Sequence, residues 1–115
     1  MEIKRFAPGA RMSGAVACNG FLFVSGQVAD DTSASVAGQT EQILAKIDRL
    51  LAEAGIDKTR LLSANIWLAD ASTFNEMNAV WDQWVAEGHT PARACVESKL
   101  AFPPYTVEIG VIAAA

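Results

Sequence analysis

Only two stretches of this chain carry a helical period, while six carry a strand pattern. That imbalance constrains the fold more than any single motif, because two helices can cover one face of a six-stranded sheet and no more. In the first helical stretch Val36, Ile43, Leu44, Ile47, Leu50, Leu51 and Ala54 recur at three-four spacing. Ser33 or Ser35 can cap its start and Gly55 its end. The second opens after Asp70, with Asp70 or Ser72 as cap, and places Phe74, Met77, Trp81, Trp84 and Val85 on one stripe before Gly88. Strands are expected near 2–6, 13–18, 21–25, 60–69, 92–98 and 105–114. Asn19-Gly20 joins the second and third as a tight hairpin, and Gly26 is expected to stop the third. Along 60–69, Leu62, Ala64, Ile66 and Leu68 alternate onto one face. The order β-β-β-α-β-α-β-β is an α+β layout, one sheet with two helices on one face. At 115 residues it forms a single domain spanning 1–115.

The uncovered face has a consequence. "FLFV" and "VEIGVIA" are apolar on both faces. A large bare apolar surface is uncommon on a monomer, so sheets of several copies are expected to pack together, and a pocket is expected in the seam. The net charge of −4 offers no footprint for nucleic acid. No secretory leader or membrane span is legible, so Cys18 and Cys95 are read as reduced thiols of a cytoplasmic protein.

Two charged residues stand where a core strand is expected. Arg93, in "TPARACVESK", shares a strand face with Cys95 and Glu97. It is either half of an interface or surface salt bridge, with Glu97 the nearest acid in sequence, or a clamp whose planar fork fits a carboxylate. Glu108 interrupts "TVEIGVIAAA". It is either a structural ion-pair partner or an acid that positions water. The two strands can be neighbours, so one site can hold both. Asn78 falls on or beside the apolar stripe of the second helix and needs a partner, most simply the backbone. Ser25 ends a strand, where it is a turn residue or lines a site; no histidine supports it as a nucleophile, since His89 follows a helix-ending glycine. Cys95 reads as a small buried hydrophobe. The tryptophans read as packing, and no metal-ligand spacing or phosphate loop occurs. From the residues alone, the chain is an oligomer with an interfacial site for a small anion.

The blocks "FVSGQ", "QTEQILAKIDRLLAEAG", "FNEMNAVWDQW", "PARACVE" and "VEIGVIAAA", in that order, resemble the Rid proteins, the reactive intermediate (enamine/imine) deaminases. The resemblance covers nearly the whole chain. It implies a chorismate-mutase-like fold, a homotrimer with three clefts between subunits, and no metal or cofactor. It also implies that Arg93 binds the substrate carboxylate, that the main chain at Cys95 orients the imine or its water, and that Glu108 positions that water. The positions of Ser25 and Asn78 lie in or near the pocket. The implied reaction hydrolyses 2-aminoacrylate-type imino acids to 2-keto acids and ammonia; a cleft that only holds a 2-keto acid is the alternative. Ribonuclease activity, attributed to some relatives, and a purely structural oligomer rank lower. Two departures stand out. Met12 occupies a place where many active members carry a tyrosine, and "SKLAFPPYTVEI" is bulkier and stiffer than the usual turn into the last strand. Loss of the hydroxyl at Met12 is expected to shift substrate choice or slow the reaction, and the stiffer segment is expected to reshape the cleft.

Overall fold

The computed structural model describes residues 1–115. Six strands, β1 (Ile3–Pro8), β2 (Ser13–Cys18), β3 (Phe21–Gln27), β4 (Leu61–Leu68), β5 (Ala92–Glu97) and β6 (Val107–Ala114), form one sheet in the order β1-β2-β3-β6-β4-β5. Helices α1 (Val36–Glu53) and α2 (Phe74–Trp84) lie on one face. The expected element order and α+β class hold. Asn19 and Gly20 take φ of 53° and 84°, the left-handed pair of a type I′ turn, and Cys18 faces Phe21 across it.

α1 starts at Ser35, whose hydroxyl accepts from the Gly38 amide. It ends in a Schellman turn: Gly55, at φ 79°, donates to Ala52, and Ile56 donates to Leu51. Asp70 caps a 3-10 turn over Ala71–Thr73 rather than α2 itself. α2 stops at Trp84, where Val85 turns extended, so the left-handed Gly88 belongs to the next turn and not to the helix end. Leu62 also departs from its expected face. A register slip between Leu61 and Ser63 turns Leu61 inward and leaves Leu62 44% exposed. Likewise β3 does not stop at Gly26 but runs through it with a bulge between Val24 and Gln27.

The core lies between the helices and the sheet. Ile43, Leu44, Ile47 and Leu51 of α1 pack with Leu22, Ile66, Leu68, Val107 and Ile109. One polar residue sits inside it. Gln39 is fully buried, with Nε2 within 3.2 Å of the carbonyls of Thr32, Ala34 and Pro104, and Oε1 accepting from the Thr106 amide. It ties the loop before α1 and the segment entering β6 to one helix.

The opposite face of the sheet has no layer of its own. Phe21, Phe23, Trp67, Val96 and Ile112 stand on it, with Phe23 47% and Val96 53% exposed. The molecule is a two-layer slab of 42 × 37 × 20 Å with one apolar side bare, as the helix count required.

Candidate active site

Directly paired residues of neighbouring strands point to the same side of a sheet. Ala64, Ile66 and Leu68 of β4 are buried under the helices, so their partners Arg93, Cys95 and Glu97 on β5 face the helix layer. Trp67 alternates to the bare face, and so does its partner Glu108 on β6. Arg93 and Glu108 therefore lie on opposite faces, with β4 between their strands. The expectation that β5 and β6 pair is wrong: β5 is an edge strand whose parallel partner is β4. Arg93 pairs with Ala64 and Glu108 with Trp67, which puts the two Cα atoms about 14 Å apart by strand rise and spacing. No strand alternation could have shown this, because pairing order is a tertiary choice.

Arg93 is held from one side. Its Nη1 donates to Asn78 Oδ1 at 2.7 Å, and its guanidinium carbon stands 5.4 Å from the Trp81 ring centre and 5.8 Å from that of Phe74. All three neighbours come from successive turns of α2, at spacings of three and four that share a face. The aromatic rings attract the cation, and the amide fixes its plane. No carboxylate pairs with it, since the chain's one ion pair joins Lys46 to Asp30. Glu97, the nearest acid in sequence, instead accepts from the Ala71 amide at 2.9 Å. A salt bridge to Glu97 within the protomer is thus set aside, and Asn78 bonds to a side chain rather than to the backbone.

Cys95 lies two residues along on the same face and is half-buried. Burial pushes its thiol above the ordinary value, outweighing the pull of Arg93 in the other direction. It is a protonated thiol at neutral pH, not a primed nucleophile. Alkylation of Cys95 by iodoacetamide is accordingly expected to be slow at pH 7.5 and to accelerate as pH rises past 9, followed by mass spectrometry of the Cys95 peptide.

The remaining candidates gather at the other half of the sheet. Ser25 donates its hydroxyl to the Ser13 carbonyl at 2.5 Å, pinning β3 to the start of β2. Met12 immediately precedes, in the turn after β1, 56% exposed. Glu108 lines a small hollow of about 180 Å³, and Trp67 lines both this and a second of about 170 Å³. The second is floored by Gly26 and Gly110; the first is walled by Ser98, Lys99, Leu100 and Ala101, the start of the Phe-Pro-Pro segment. Gly26, which the strand pattern assigned only a stopping role, lies against the Glu108 carboxylate. Phe102 packs edge-on to Tyr105 and is exposed. The chain thus carries two separate charged features: a cationic one at the β5 edge under α2, and an acidic one on the bare face of β6. His89 is exposed and remote in role, its amide closing a turn to Ala86.

No helix of the chain is long and apolar enough to cross a membrane. Comparison with known proteins agrees with the fold and the blocks. The family described as Endoribonuclease L-PSP matches residues 2–115. A RutC family protein of Haemophilus influenzae is 42% identical, with 98% of each chain covered. The RutC family protein YoaB of Escherichia coli is 41% identical over 99% of each. The crystal structure of NMB1025, a member of the YjgF protein family from Neisseria meningitidis, superposes with a TM-score of 0.96 at 50% identity, covering 99% of this chain and 95% of that one. The chain belongs to this family, the Rid/YjgF superfamily.

Proposed function

We propose that the protein is an enamine/imine deaminase, hydrolysing 2-aminoacrylate-type 2-imino acids to 2-keto acids and ammonia in a cleft between protomers of a homotrimer. The observation that carries this reading is the state of Arg93: a guanidinium oriented by Asn78, Phe74 and Trp81, with no acid spent on it. A structural arginine is neutralised by an internal carboxylate; one kept free and oriented suits an incoming carboxylate.

The separation of Arg93 from Glu108 within one chain supports a site shared between protomers. A site using both must draw them from different protomers, with the bare faces packed together and a β5 edge laid beside a neighbour's β6. Burying Phe21, Phe23, Trp67 and Val96 supplies the driving force. We place it as a single domain in the cytoplasm, a compartment that suits its two free thiols.

The chemistry then needs few parts. The enamine tautomerises to the 2-imino acid, its methylene carbon gaining the proton that nitrogen gives up. Arg93 grips the carboxylate, and the main chain at Cys95 orients the imine. Glu108 holds the water that adds to the imine carbon, takes its proton and returns it to the nitrogen; the carbinolamine hydroxyl then gives up its proton by the same route as the C–N bond breaks and ammonia leaves, forming the keto acid. The imine is already electrophilic, so positioning supplies most of the gain. Ribonuclease chemistry, named in the family description, fits less well with a net charge of −4.

The test couples an aminoacrylate-forming dehydratase or an amino-acid oxidase to the protein and follows imine decay. Acceleration by wild type is expected, and Glu108→Gln is expected to slow kcat by about 30-fold with little change in KM. A protein that binds 2-keto acids through Arg93 yet leaves imine decay at its spontaneous rate would be a carboxylate carrier instead. That second reading has one observation in its favour: within a protomer the clamp stands without the acid.

A further inference from the structure

Glu108 owes its position to a glycine, not to a hydrogen-bonding partner. No side chain or backbone group bonds its carboxylate within the protomer, and it has no ion-pair partner. What touches it is Gly26 on the neighbouring strand. A methyl group built on Gly26 would overlap Glu108 Oε2 and stand 3.0 Å from Cδ and 3.3 Å from Cγ. Opposite, a methyl on Gly110 would meet Gly26 N and Cα at 3.6 Å, so the two glycines form one bare strip of main chain on the open face. The bulge between Val24 and Gln27 brings Gly26 there.

Gly26 is not needed for its backbone. The glycines at positive φ are Gly20, Gly55 and Gly88, and Gly26 is not among them. An alanine can adopt its conformation, and the only group it would displace is the free end of a flexible side chain. The fold therefore tolerates a methyl group here, while the carboxylate does not.

We infer that Gly26 is a positioning residue for the reaction: its missing side chain is the seat in which the Glu108 carboxylate rests, and any side chain there lifts the acid off the water it holds. This deepens the deaminase reading and rests on it. The effect is on the acid alone, since Arg93 lies on another strand and the opposite face.

The experiment is a double-mutant cycle on the full-length protein with the imine-decay assay. Gly26→Ala is expected to keep Tm within about 2 °C of wild type and KM within about twofold, while lowering kcat about tenfold. In a Glu108→Ala background, the same Gly26→Ala change is expected to cost less than about twofold, because no carboxylate remains to be displaced. In Glu108→Asp, whose shorter side chain withdraws the carboxylate from the seat, it is again expected to cost little. Wild-type kcat in Gly26→Ala, a rise in KM with kcat unchanged, or a loss that persists undiminished in Glu108→Ala would each overturn the inference while leaving the deaminase reading intact. Wild-type kcat in Glu108→Ala would remove the deaminase role of Glu108 and this inference with it.

Discussion

Arg93→Ala is expected to lower kcat/KM for 2-iminopropanoate by about 150-fold, the loss of about 3 kcal/mol of charge-assisted binding. The size follows from the setting. The guanidinium is preoriented by Asn78 at 2.7 Å and by two aromatic rings, so little ordering is left to be done when a carboxylate arrives. Removing the fork takes away two parallel hydrogen bonds and the cation together. Arg93→Lys keeps the charge but neither the fork nor its stacking, and is expected to recover only part of the loss, to about tenfold below wild type. Asn78→Ala leaves the cation in place but frees its plane, and a similar fall of about tenfold is expected. Steady-state kinetics on the coupled assay read all three. Equal rates for wild type and Arg93→Ala would mean that the carboxylate is bound elsewhere.

The largest effect on stability is expected at Gln39. Gln39→Leu keeps nearly the same volume and removes every polar atom. The Thr106 amide is left without its partner, and the carbonyls of Thr32, Ala34 and Pro104 lose theirs on the side that faces the fully buried Gln39 side chain. A fully buried group so orphaned costs about 1–3 kcal/mol, and these part-buried ones recover some of it by turning to water as the loop relaxes. A net loss of about 3 kcal/mol is expected, measurable as a fall in the urea midpoint. Because the Pro104–Thr106 segment leads into β6, the same variant is expected to raise hydrogen exchange at the start of that strand. Unchanged exchange there, with an unchanged midpoint, would show that the segment is held by other means.

Much of this molecule is legible in its sequence because the signals are local. The Asn19-Gly20 turn needs two left-handed residues, and that pair supplies them. The Ser35 cap and Gly55 stop of α1 follow from the chemistry of helix ends. The bare apolar face follows from counting helices against strands. What stays hidden depends on which strands meet. The parallel pairing of β5 with β4 separates Arg93 from Glu108, and alternation along either strand is silent on it. The bulge at Gly26 and the slip at Leu61 are likewise invisible to a strict period of two. Gln39 had a faint signal. Between Val36 and Ile43 the stripe of α1 skips a turn, and that place is filled by Gln39 and Thr40, both fully buried. A polar pair at a core position announces a hydrogen-bonding task, though not its partners.

The central claim is that the cation and the acid of one working site come from two protomers, and subunit complementation tests it most directly. Co-expressed Arg93→Ala and Glu108→Ala chains, assembled at random, should place an intact Arg93 beside an intact Glu108 at about a quarter of their interfaces. Mixed assemblies are therefore expected to regain about a quarter of wild-type activity, although each variant alone is nearly inactive. If mass spectrometry finds mixed assemblies and their activity stays at the level of the parent variants, the two residues do not share a site.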